Sequence, residues 1–105
     1  MEPFVDLQFA LQGHAVPTDY ADALWFAVRG VLPWLEADTL AGIHPLSGLS
    51  PSAEGWYLAR RSRLTLRLAR DQVEAAQALV GARLQLGAEI VEVGASHQRE
   101  LMHAP

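Results

Sequence analysis

One histidine and a run of arginines set out what chemistry this chain could do. Arg60, Arg61, Arg63, Arg67 and Arg70 are five of its eight basic residues, and it has no lysine. A guanidinium is a planar, permanently charged fork that matches an oxyanion such as phosphate. Gathered on a chain whose net charge is -4, these arginines imply a local anion site rather than a broad basic surface. The competing interpretation is a solvated face on which they pair with the chain's twelve carboxylates. His44 lies in the segment Ala41-Gly42-Ile43-His44-Pro45-Leu46. Imidazole both gives and takes protons near neutral pH. A histidine with arginines nearby suffices for metal-free scission of an RNA strand. A base removes the 2′-hydroxyl proton, an acid protonates the leaving 5′-oxygen, and a guanidinium stabilises the charge of the phosphorane-like transition state. The alternative for His44 is a loop residue whose ring bonds to backbone and fixes the turn before Pro45.

Other chemistries have little to draw on. There is no cysteine, so disulfides, thiolate zinc sites and cysteine nucleophiles are excluded together. The four histidines, His14, His44, His97 and His103, never stand at the i, i+4 spacing of a helical metal site. No metal or cofactor is therefore expected. P-loop, dinucleotide and Gly-x-Ser-x-Gly patterns are missing, and the carboxylates are scattered. No apolar run approaches the roughly 20 residues of a membrane span, and Met1-Glu2-Pro3-Phe4 does not open like a signal peptide. A cytoplasmic protein without a membrane partner is the expectation.

These side chains need a scaffold, and the hydrophobic pattern supplies one. At 105 residues, half of them hydrophobic, the chain has the size of one domain. Val5, Leu7, Phe9 and Leu11 alternate with polar or small residues, which reads as a half-buried strand ended by Gly13. Thr18 and Asp19 would open a helix whose apolar residues run from Ala21 to Leu35, with Pro33 bending or ending it. Glu36 to Glu54 reads as a long loop, and Trp56 to Ala59 as a short strand. From Ser62 to Leu68 the chain alternates again. Leu64, Leu66 and Leu68 take one face, Arg63, Thr65 and Arg67 the other. Asp71-Gln72-Val73-Glu74 suggests a capping box that opens a second helix, stopped at Gly81. Leu84 to Val93 suggests a last strand or hairpin around Gly87-Ala88, and residues 95–105 a tail without a clear element.

The resulting order, β-α-β-β-α-β, packs most simply as an α+β ferredoxin-like sandwich over residues 1–94, with both helices on one face of an antiparallel sheet. The first and third strands would be central. Arg63, Thr65 and Arg67 would then lie on the open face beside Asp6, Gln8 and Ala10, where Tyr57 offers the one candidate ring. Sheets that read single-stranded RNA by stacking carry more aromatics than that.

The chain also resembles a known family. Pro17-Thr18-Asp19-Tyr20, Leu32-Pro33-Trp34-Leu35 and Gly42-Ile43-His44-Pro45-Leu46-Ser47-Gly48 follow the N-terminal half of the CRISPR repeat-processing endoribonucleases. The match is to the branch of the Myxococcus-type subtype I systems, and Ser62-Arg63-Leu64-Thr65-Leu66-Arg67-Leu68 and Leu84-Gln85-Leu86-Gly87 continue it in the same order. It spans roughly residues 5–94. The family belongs to the RAMP superfamily of ferredoxin-like domains. The resemblance implies metal-independent cutting of precursor CRISPR RNA within the repeat, leaving a 2′,3′-cyclic phosphate. It makes His44 the acid or base and Arg60, Arg61, Arg63 and Arg67 the RNA contacts. Tyr20 and Glu36 stand where relatives often have histidine. The family also implies a second ferredoxin-like half, so the chain is expected to be the N-terminal domain or a short form that dimerises. The resemblance leaves room for a non-catalytic RNA-binding or assembly subunit among other CRISPR effector subunits, and the residues alone for an unrelated oligomerisation domain.

Overall fold

The computed structural model describes residues 4–37 and 41–100. Strand β1 (Phe4–Gln12) buries Val5, Leu7, Phe9 and Leu11 and turns Asp6, Gln8 and Ala10 to the other side, as its alternation requires. β6 (Arg63–Ala69) runs antiparallel to it, with Asp6 opposite Arg67, Gln8 opposite Thr65 and Ala10 opposite Arg63. The other members of this sheet are β3 (Gly42–Ile43), β7 (Arg83–Leu86) and β8 (Glu89–Glu100), in the order β3-β6-β1-β8-β7. All pairings are antiparallel, so β1 and β3 run parallel with β6 between them, and β6 and β8 run parallel with β1 between them. Those are two interleaved split β-α-β units, the ferredoxin-like arrangement, with β1 and β6 central.

Helix α1 (Ala21–Val31) buries Leu24 and Val28, one turn apart, and Leu32 and Leu35 extend the same stripe. Its cap is Tyr20, without a side-chain bond, rather than Thr18 or Asp19. Pro33 ends it and opens a 3-10 turn, Pro33–Ala37, as a residue lacking N–H and fixed in φ should. The second helix is shorter than its capping pattern suggests. It consists of a 3-10 turn (Arg70–Gln72), α2 (Val73–Ala76) and another 3-10 turn (Gln77–Leu79), with no side-chain cap bond. So short a segment cannot offset the cost of helix nucleation and depends on packing, here through buried Ala76 and Leu79.

Three further sequence expectations change. The strand that pairs with β6 on its outer side is the two-residue β3, inside the stretch expected to be a loop. Gly55–Tyr57 (β5) forms instead a separate three-stranded sheet with β2 (Ala15–Pro17) and β4 (Ser50–Ser52), in the order β2-β5-β4. Tyr57 therefore sits edge-on against His14, ring centroids 5.3 Å apart, and is not a ring on the open face. Lastly, the stretch from Ala95, expected to lack an element, is the second half of β8 as far as Glu100 and pairs with β1. Residues 101–105 lie outside the described residues. No helix among the described residues is long and apolar enough to cross a membrane.

Candidate active site

The site forms at the edge where β3 meets β6. The backbone N–H of His44 donates to the carbonyl of Thr65 at 2.9 Å, which prolongs the β3–β6 ladder by one residue. Since Ile43 lies opposite Leu66 on the helix side, the next side chain, His44, falls on the open face. There its Nε2 comes within 3.4 Å of Asp6 Oδ1. The same carboxylate takes two hydrogen bonds from Arg67, Nε to Oδ1 at 3.0 Å and Nη2 to Oδ2 at 3.3 Å. One carboxylate on β1 thus joins an arginine from the neighbouring β6 and a histidine from the end of β3, with His44 and Arg67 sharing Oδ1.

The electrostatics follow from that geometry. Burial pulls the Asp6 carboxyl upward, but the Arg67 hydrogen bonds and charge, followed by the neighbouring His44, outweigh it and hold the group below the ordinary aspartate value. Asp6 is therefore a fixed anion at neutral pH. His44 Nε2 is shielded, and its 3.4 Å approach to Oδ1 satisfies an ion-pair distance but not hydrogen-bond geometry. The imidazole side chain as a whole is 40% exposed and can meet a substrate.

A second set of contacts positions the loop carrying His44. The Tyr20 hydroxyl accepts from the backbone N–H of Leu46 at 2.8 Å, two residues beyond the histidine. Tyr20, Trp25, Ile43, His44 and Pro45 share a hollow of about 240 Å³. Glu36, by contrast, is on the helix layer, paired with Arg29 at 3.1 Å. Beyond Leu46, buried Ser62 accepts from the N–H of Ala59 and donates to the carbonyl of Gly48, both at 2.9 Å. Gly48 has φ +74°, and a Cβ there would lie 2.7 Å from the Arg61 carbonyl oxygen. Only glycine fits such a turn without strain.

The arginines expected at the site divide into three roles. Arg67 is held by Asp6. Arg63, half-buried, donates from Nη1 to the carbonyls of Arg60 and Ser62 at 2.9 and 2.8 Å, so that guanidinium nitrogen braces the turn. Arg60 and Arg61 are exposed in that turn, leading into the same strand. His14 lies past the far end of β1, about 25 Å along the strand from Asp6. His103 is outside the described residues. Among the described residues, no cluster of three or more His, Asp or Glu side chains could hold a metal ion.

Sequence reading missed Asp6 and the β8 residues. A polar position on the exposed side of an amphipathic strand carries no signal of its own until the register is known. Register also brings His97 opposite Gln8 and Arg99 opposite Asp6.

The architecture is an α+β ferredoxin-like sandwich whose open sheet face holds a histidine and an arginine against one shared carboxylate. Residues 5–105 match the Cas6 family model, described as "Cas6 Crispr", and the chain belongs to that family. It is 34% identical over 102 residues to the CRISPR-associated endonuclease Cas6 of Myxococcus xanthus (strain DK1622). That alignment covers 97% of this chain and 44% of the relative, so the chain spans rather less than half of the relative's length.

Proposed function

We propose that this chain acts in CRISPR repeat processing as an endoribonuclease domain that cuts precursor CRISPR RNA within the repeat. The observation that carries the reading is the His44–Asp6–Arg67 cluster on the open face, in a chain of the Cas6 family. In this reading His44 moves one of the two protons, as base toward the 2′-hydroxyl or as acid toward the 5′-oxygen, and water carries the other. Asp6 is a positioning residue that holds the imidazole and the guanidinium together, and Arg67 meets the charge that builds on the phosphate. Arg60 and Arg61, with the remaining donors of Arg63, contact the RNA backbone leading into the site. These groups need no metal, and the product is a 2′,3′-cyclic phosphate. The chain supplies one wall of an RNA groove, and the opposite wall comes from a second ferredoxin-like unit, either a further domain or a second copy.

The test incubates the purified protein with cognate repeat RNA in EDTA and compares it with His44→Ala. Cutting by the wild type, lost in the variant, supports the reading. Binding without cutting favours a non-catalytic RNA-binding subunit. Absence of salt-dependent RNA binding overturns both.

A further inference from the structure

We propose that β8 carries a second phosphate contact for the RNA strand, made by Arg99, with His97 beside it on the same face. This rests on the reading of the open face as an RNA surface and extends it across the sheet from the His44 edge.

A change of register in β8 carries the argument. Leu11 lies opposite Val93 and Gln12 opposite Glu92, but Phe9 lies opposite Ser96. One more residue is used on β8 than on β1 between these pairs, so a β-bulge sits at Gly94–Ala95, opposite Ala10. Close packing favours glycine in it, since a Cβ on Gly94 would meet the Ala10 methyl at 3.2 Å. Because side chains alternate, one inserted residue reverses the faces of everything beyond it. With uninterrupted pairing, His97 would oppose Leu7 and Arg99 would oppose Val5, both on the buried side. With the bulge, His97 opposes Gln8 and Arg99 opposes Asp6, on the open face. Ser96 takes the helix side instead and bonds Gln77 through its Oγ at 2.8 Å. The bulge therefore turns a cation and an imidazole from the helix side to the open face, in line with the site.

The charges on that face indicate what Arg99 would meet. One transverse row reads Arg67, Asp6, Arg99, and the next reads His44, Thr65, Gln8, His97. Both oxygens of Asp6 are already engaged by Arg67. Arg99 is exposed, makes no ion pair among the described residues, and stands about 10 Å from Arg67 across β1. An exposed, planar cation at that spacing suits a second phosphate of the same strand.

The test measures binding of labelled repeat RNA by fluorescence anisotropy over a range of salt concentrations, for wild type, Arg99→Ala, His97→Ala and Arg29→Ala. Arg29 lies on the helix layer and provides the same change in net charge away from the sheet face. Arg99→Ala should weaken binding roughly three- to tenfold and flatten the slope of log K against log salt by about 0.7, the loss of one single-strand phosphate contact. His97→Ala should weaken binding less, and Arg29→Ala should leave both measures at wild-type values. The proposal is overturned if Arg99→Ala binds with wild-type affinity and slope, or if Arg29→Ala weakens binding as much. Binding that depends on Arg99 without any cutting would support the contact while overturning the cleavage reading. A wild-type protein that does not bind repeat RNA overturns both.

Discussion

Replacing Asp6 by Asn should separate binding from cutting. The change keeps size and shape, removes the charge and exchanges one of the two acceptor oxygens for an amide N–H donor. At 3.0 Å and an effective dielectric near 20, the gross attraction between Asp6 and Arg67 is about 5 kcal/mol. Most of it is cancelled by desolvation, by side-chain entropy and by screening, because the Arg67 side chain is 44% exposed. The net loss of stability should be about 1 kcal/mol at neutral pH. It should also depend on pH. The folded Asp6 carboxyl titrates below its unfolded value, so its stabilisation is present above about pH 4 and disappears as pH falls through the folded value. Urea unfolding of wild type and Asp6→Asn should thus differ at pH 6 and converge in acid. The functional consequence is larger. Without the carboxylate, His44 loses its anionic partner and the charged two-bond grip on Arg67 is weakened. Cutting of repeat RNA under single-turnover conditions should slow roughly ten- to hundredfold. Affinity should stay the same or rise, because a negative charge has left the face. Wild-type cutting by Asp6→Asn would refute the positioning role, and a stability difference that persists unchanged in acid would refute the electrostatic account.

Other substitutions probe the scaffold. His44→Ala should reduce cutting by about 100-fold or more while repeat-RNA affinity in gel-shift titration changes little. Tyr20→Phe removes the acceptor for the Leu46 N–H and should cost about 1 kcal/mol in denaturant unfolding; an unaltered midpoint would show that the contact contributes nothing. Ser62→Ala leaves the Ala59 N–H and Gly48 carbonyl without their shared partner, and should cost about 2 kcal/mol, seen as a lower thermal midpoint. Phe9→Ala empties the middle of the core beneath the site and should cost about 3–5 kcal/mol, whereas a loss under 1 kcal/mol would mean that β1 is not central.

Much of the fold was legible in order because two strong signals were present. Four alternating apolar residues define β1 and three leucines define β6, and burial of one face leaves little freedom in either. The elements that escaped were short. Gly42–Ile43, Ser50–Ser52 and Gly55–Tyr57 offer too few residues for a period of two to show, and they are strands only because partners lie beside them. The second half of β8, Ala95 to Glu100, has few apolar residues, so its pairing with β1 left no hydrophobic trace.

At the site, the chemical types were already legible along the chain: a histidine in a turn before proline, arginines on a strand, no thiol and no lysine. So was the orientation of Arg67, away from the core, since strand alternation is local. Which groups meet, by contrast, depends on the folded sheet. Asp6 and Arg67 are 61 positions apart and touch because β1 and β6 pair in one register. A slip of one residue would have placed Leu7 there instead. His44 joins them through a single backbone bond to Thr65, and Arg99 comes into line through one bulge. Side-chain identity is a property of each residue, whereas proximity across strands is a property of register, which follows from the packing of the whole core.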